Sequence, residues 1–266
     1  MDIERTTIEH GGIAYSVLAR PAAPGSAPAT PVIFVHGLGD SAELWRDIMD
    51  HPALAGLSCT AADLPGFGFT PPHAGGPAAL EDDAAALANL IVAMGFTDVI
   101  LVGHSLGGVV STLIAEAKPP WLRGVVNVEG NVTLADCFIS AKAAKTQDID
   151  RWLYELGAEM RHTPLPWMQQ YGVALAIVDR PTYQQAARDL VRLSSGDEIG
   201  DRYCTLEVPH LFICGTRDLS PDAVALLTAR NQRLVVIEEA GHWVMHENRD
   251  RFAQALLSFV RDPVNG

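Results

Sequence analysis

The chain has 266 residues, and 32 Asp and Glu against 19 Lys and Arg leave a net charge of −13. No basic cluster offsets that charge locally, which argues against nucleic acid as a partner. The length suits one α/β domain with a small insertion, and 48% hydrophobic residues with 23 Gly and 17 Pro point to a turn-rich globular core.

The first residues, Met1-Asp-Ile-Glu-Arg-Thr-Thr, show no basic stretch followed by an apolar one, and no window approaches ~18 uninterrupted apolar residues. The expectation is a cytoplasmic protein without membrane insertion. Cys59, Cys137, Cys204 and Cys214 are widely spaced in or beside apolar stretches, as expected of free thiols rather than disulfides or a zinc site.

In chain order, strands are expected at 6–9 and 13–19, with His10-Gly-Gly12 as the turn between them. A Pro-rich loop leads to a buried strand at 31–36, a glycine-rich turn Gly37-Leu-Gly-Asp-Ser41, and a helix at 43–49. The next strand, 57–62, runs into Asp63-Leu-Pro-Gly-Phe-Gly68. An Ala-rich amphipathic helix follows over 77–94, stopped by Gly95.

The apolar run 99–103 then enters Gly103-His-Ser-Leu-Gly107, and a helix-compatible run leaves it over 109–117. Such a strand, turn and helix puts the central serine on a sharp reversal at the top of a parallel sheet. Another strand over 124–130 contains Glu129. Strands that alternate with helices imply parallel pairing through right-handed crossovers.

Between 131 and 207 the pattern changes to helical segments rich in large apolar residues and broken by Pro164, Pro166 and Pro181. This reads as a helical cap over the sheet edge, with 1–130 and 208–266 as the core. The alternation resumes with a strand at 210–215, a helix at 221–230, a strand at 234–238 and a last helix near 249–260. Gly241-His-Trp243 lies in the loop before that helix, and such loops open on the carboxyl edge of the sheet, where ligands bind.

A serine hydroxyl needs a base in reach, and an imidazole with a pKa near ~6.5 suits His242 to that role. The histidine in turn needs an acid that orients it. Taken together, His36-Gly-Leu-Gly39, Asp63-Leu-Pro-Gly-Phe-Gly68, Gly103-His-Ser-Leu-Gly107, Gly215-Thr-Arg-Asp218 and Ala240-Gly-His242 resemble the α/β-hydrolase family along the whole chain. The resemblance implies an eight-stranded, mostly parallel, doubly wound sheet with a helical cap, and a nucleophile, acid and histidine in that order.

Two acids compete. Asp218 has the strand-end setting where most of the family carries its acid, and it is slightly preferred, although it lies only 24 residues before His242. Glu129, 24 residues after Ser105, occupies the acid position of some relatives such as zearalenone lactonases and certain haloalkane dehalogenases.

The backbone N–H groups of Leu38 and Leu106 are the candidate oxyanion donors. His36, Gly37, Trp152, Tyr154, Trp167, Tyr171 and Trp243 are the candidate pocket residues. A serine nucleophile removes epoxide opening and dehalogenation, which need a carboxylate nucleophile.

The resemblance thus implies a serine hydrolase that takes a small, largely apolar ester, lactone or thioester through an acyl-enzyme, without metal or cofactor. Carbon–carbon bond hydrolysis, acyl transfer and a slow-turnover ligand receptor remain alternatives on the same fold. The partner is a small-molecule substrate, and the oligomeric state is open.

Overall fold

The computed structural model describes residues 2–218 and 220–263. Eight strands form one sheet: β1 (Glu4–His10), β2 (Ile13–Arg20), β3 (Val32–Val35), β4 (Cys59–Ala62), β5 (Val99–His104), β6 (Leu122–Val128), β7 (His210–Gly215) and β8 (Leu234–Ile237). Their spatial order is β1-β2-β4-β3-β5-β6-β7-β8. The β1–β2 and β2–β4 pairs are antiparallel, whereas every pair from β4 to β8 is parallel.

Side chains alternate between the two faces, so each central strand feeds two cores. Ile33, Val35, Val99 and Leu101 pack on one face with α2 (Leu80–Ala93) and α3 (Leu106–Glu116). Val32, Phe34, Ile100 and Val102 pack on the other with α1 (Arg46–Met49) and α11 (Arg249–Arg261). Trp45 lies at the centre of this second core, its ring 4.8 Å from Phe34 and 6.2 Å from Phe252.

Some boundaries differ from expectation for local reasons. The helix expected over 43–49 divides into a 3-10 turn, Ala42–Trp45, and α1, because Asp63 receives the Ala42 N–H at 2.6 Å and fixes the chain there. The helix expected from residue 77 starts at Leu80, where Asp82 accepts the Ala79 N–H and Asp189 the Leu80 N–H, each at 3.3 Å.

Between β6 and β7 come two 3-10 turns, Leu134–Asp136 and Ser195–Asp197, and five helices: α4 (Ser140–Lys145), α5 (Ile149–Arg161), α6 (Pro166–Ile177), α7 (Arg180–Ser194) and α8 (Glu198–Cys204). They share a core with the sheet, since Leu153, Tyr171, Leu175, Tyr183 and Leu190 belong to the same apolar cluster as Ile33 and Leu101. Polar contacts tie the same layers. Tyr171 Oη donates to the Leu38 carbonyl at 3.1 Å, and the Asp179 N–H to the Gly66 carbonyl at 2.9 Å. After β7 come α9 (Pro221–Ala229), β8 and a short α10 (Val244–Glu247), which the sequence did not indicate.

The crossing of β5 and α3 at the turn is very close. A Cβ on Gly103 would fall inside van der Waals contact with the Gly107 carbonyl, and one on Gly107 would strike the Val35 carbonyl. Backbone cannot retreat as a flexible side chain can. Gly103→Ala is therefore expected to lower the unfolding free energy by about 2 kcal/mol or more. Gly75→Ala, with nothing within 4 Å of its Cβ position, should shift it by under about 0.5 kcal/mol. Urea unfolding of both variants checks the contrast, and equal losses would remove the close-approach explanation.

Candidate active site

Ser105 closes β5 with φ 52° and ψ −118°, a left-handed conformation that costs a non-glycine residue about 1–3 kcal/mol and needs surrounding structure to hold it. Its N–H donates to the Val128 carbonyl at 2.9 Å, and its carbonyl accepts from Gly108 N–H at 2.9 Å. Leu106 opens α3, so its N–H has no carbonyl one turn earlier to bond and faces outward at the helix's positive end.

The side chain of Ser105 lines a cavity whose free space, mouth included, is about 440 Å³. Gly37, Leu38, Tyr171, His242 and Trp243 of the expected set line it too, together with His104. Asp40, Asn131, Phe138, Ser140 and Leu190 complete much of the wall. Sequence reasoning gave these five no role. Asp40 sat inside a recognised turn, while the others lie where no motif marks them.

Glu129 ends β6 at φ 52°, and its carboxylate turns back over β7, taking the Gly215 N–H on Oε1 at 2.6 Å. Its Oε2 lies 3.8 Å from Nδ1 of His242, with both side chains nearly buried. Asp218 approaches the same loop differently. Its Oδ2 accepts the backbone N–H of His242 at 2.8 Å, and a Cβ on Gly241 would collide with that oxygen. Glu247 takes the N–H groups of Gly241 and Trp243 at 3.1 and 3.2 Å and pairs with Arg217. The loop is thus held through its backbone by two carboxylates, while a third faces the imidazole ring. The sequence preference for Asp218 as ring partner does not match these contacts.

His104 is buried, and its Nε2 donates to the His242 carbonyl at 2.9 Å. Burial, with His242 4.7 Å away ring to ring, holds its pKa well below the usual histidine range. A neutral His104 suits the turn, because a second cation beside His242 would oppose protonation of that ring.

The expected pocket residues separate into groups. His36 is fully buried outside the cavity wall: its Nδ1 bonds the Gly37 carbonyl at 2.9 Å and its Nε2 accepts the Leu64 N–H at 3.0 Å. It joins the Gly37 turn to the Asp63 loop, and burial lowers its pKa. Trp152 packs on Tyr183 at 5.8 Å, away from the Ser105 cavity. Tyr154 is 72% exposed, so the structure places it in solvent and not in the pocket. Trp167 stacks parallel on His246 at 5.6 Å and lines a neighbouring groove with Asp218 and Trp243. A helical period of 3.6 leaves such aromatics on different faces, and sequence spacing alone could not assign those faces.

Phe138 meets the edge of His242 at 5.3 Å and separates the Ser105 cavity from a second one lined by Glu129, Phe212, Cys214, Asp218 and Val224. Among the described residues no group of three His, Cys, Asp or Glu is placed to hold a metal ion, and no helix is long and apolar enough to cross a membrane.

A family model described as the alpha/beta hydrolase family matches residues 32–255. The chain is 27% identical over 261 residues to the 2-succinyl-6-hydroxy-2,4-cyclohexadiene-1-carboxylate synthase of Salmonella typhimurium, covering 90% of this chain and 96% of that one. It is 26% identical over 260 residues to the dihydrolipoyllysine-residue acetyltransferase component of the acetoin cleaving system of Pseudomonas putida, covering 89% of this chain but only 65% of that relative's length. Among solved structures, an N-acyl homoserine lactonase superposes with a TM-score of 0.79 at 19% identity, covering 100% of this chain and 98% of the other. That likeness is one of fold. With a family match running from β3 into α11 and the strand order observed, the chain belongs to the α/β-hydrolase family.

Proposed function

We propose that the chain is a serine hydrolase that cleaves an uncharged ester, lactone or thioester of a small, largely apolar molecule, with Glu129 as the acid of its triad. The observation that carries this reading is the convergence on one cavity wall of Ser105 and of a histidine whose Nδ1 faces a nearly buried carboxylate 3.8 Å away. His242 takes the Ser105 proton as Oγ attacks the carbonyl carbon. The N–H groups of Leu38 and Leu106 hold the resulting oxyanion, and Glu129 stabilises the imidazolium. Collapse breaks the bond to the leaving oxygen or sulfur, which takes the proton from His242. Water, deprotonated by the same ring, then releases the acyl group from Ser105. The helices over 131–207 act as the cap that shapes this cavity, and no cofactor enters any step.

Charge supports an uncharged substrate. No arginine or lysine lines the Ser105 cavity among the described residues, whereas Asp40 and Asp136 do. The name of the synthase relative carries a carboxylate and a succinyl group, and such anions would meet like charge here wherever Asp40 is ionised, above pH 7. At 4 Å that repulsion costs about 4 kcal/mol near a protein surface before screening.

Steady-state turnover of p-nitrophenyl esters and simple lactones tests the reading. The expected kcat/KM for p-nitrophenyl butanoate exceeds that for the p-nitrophenyl hemisuccinate by about tenfold or more. Absence of turnover for every neutral ester, thioester and lactone by folded protein overturns it, and tight binding without turnover would favour a receptor.

A further inference from the structure

Asp40 follows the turn that carries the candidate oxyanion donor Leu38, and no step of the proposed mechanism uses it. Its side chain is buried, with 3% of the residue exposed, yet it lines the cavity that holds Ser105. Oδ1 receives the Ser41 N–H at 2.8 Å. That bond spends one of roughly four lone-pair sites on a carboxylate.

Among the described residues, no polar group that shares the cavity wall donates to its carboxylate. Tyr171 Oη gives its proton to the Leu38 carbonyl at 3.1 Å, and Asn131 Nδ2 points to Cys137 Sγ at 3.2 Å. Asp63, the nearby acid, takes the N–H groups of Ala42 and Phe69 and has Arg5 at 3.5 Å. Asp40 has no such cation among the described residues: burial, with the charge of Asp63 adding, pushes its carboxyl up to about 7 despite the Ser41 bond. A desolvated carboxylate short of donors, facing a cavity, has unused capacity to accept hydrogen bonds.

Resting on the hydrolase reading for the reaction itself, we propose that Asp40 is a substrate-recognition residue of the Ser105 cavity, its carboxylate accepting a hydrogen bond from an O–H or N–H group on an otherwise apolar, uncharged substrate. A substituent that only accepts, such as an ether oxygen or a second carboxylate, would leave the ionised form, which predominates above pH 7, unsatisfied. The substrate class is thereby narrowed to hydroxy- or amido-substituted esters and lactones.

Binding separates this proposal from the reaction. In Ser105→Ala protein, calorimetry well above pH 7, where Asp40 is ionised, gives Kd for methyl 2- and 3-hydroxybutanoate and for the corresponding methoxy esters. A hydrogen bond to a charged acceptor gives the better-placed hydroxy ester an expected advantage of about tenfold or more over its methoxy partner. Adding Asp40→Leu should bring that ratio to about threefold or less, and Asp40→Asn, isosteric and able to keep the Ser41 bond, should give an intermediate value. Comparing ratios cancels the size difference between the two substituents. Ratios near one at both positions with Asp40 intact overturn the proposal, as does a tenfold ratio that survives both Asp40 substitutions. Turnover of the p-nitrophenyl esters of butanoate and of 2- and 3-hydroxybutanoate, together with the neutral thioesters and lactones, by the serine-bearing protein reads the other question: its absence with all of them beside an intact Kd ratio sinks the hydrolase reading and leaves Asp40 supported.

Discussion

Glu129→Gln is expected to lower kcat by about two to four orders of magnitude, and Asp218→Asn by far less. A triad acid acts through its charge. It fixes the histidine tautomer and stabilises the imidazolium, and in the best-studied serine triad its amide costs about 10⁴. Glu129 has the geometry for this, with Oε2 3.8 Å from Nδ1 of His242 and Oε1 anchored by the Gly215 N–H. Glutamine would keep the volume and the anchor but lose the charge.

Asp218 meets the backbone N–H of His242, not the ring. An asparagine carbonyl can accept that bond equally well, so the loop should stay in place. Asp218→Ala, which removes the acceptor, should cost more than Asp218→Asn, about tenfold in kcat/KM. Single-turnover kinetics of the three variants, with their Tm values to exclude unfolding, decide the matter. A large loss with Asp218→Asn beside near-normal Glu129→Gln would return the acid role to Asp218. Severe losses in both would mean that the two carboxylates act on the histidine together.

Ser105→Ala is expected to abolish labelling by a fluorophosphonate probe and to reduce kcat by about 10⁶, the scale seen when a serine nucleophile is removed from such a triad. Only an activated hydroxyl reacts with the probe, since an ordinary serine is a poor nucleophile at neutral pH. The strained φ of 52° at this position holds the side chain against the cavity, above the start of α3. Alanine at the same φ meets a similar backbone cost, so the urea midpoint should move little. Residual labelling above a few per cent in folded protein would place the nucleophile elsewhere.

The sequence by itself determined the sheet and the turn that carries Ser105. The central strands follow from apolar runs bounded by glycine, proline and polar turns, because a strand buried on both faces must be apolar throughout and must end where the chain can reverse. By contrast β1, exposed or half-exposed along its length, was marked by the Gly11-Gly12 turn that pairs it with β2. Gly103 and Gly107 marked the close crossing of strand and helix, and the order Ser105 then His242 was legible because each lies in a short local motif. Asp40 and Asp63 sat in recognised motifs as well, but their parts depend on neighbours that are far away in sequence.

Tertiary structure decided the rest. Glu129 and Asp218 are both strand-end acids, and nothing in their spacing tells which one reaches a ring and which a backbone N–H. That difference comes from the left-handed turn at Glu129, which folds its carboxylate over β7 toward His242. Tyr154 and Tyr171 looked alike as cap aromatics, yet one is 72% exposed and the other buried on the Leu38 turn. A helix shows its faces by contrast with what it packs against, and for Tyr171 the partner is the Leu38 turn, 133 residues earlier in the chain. Asp40 became a site only when its carboxylate was placed on the wall of the Ser105 cavity with one bonded donor, the Ser41 N–H, a property of the assembled cavity that no single segment carries.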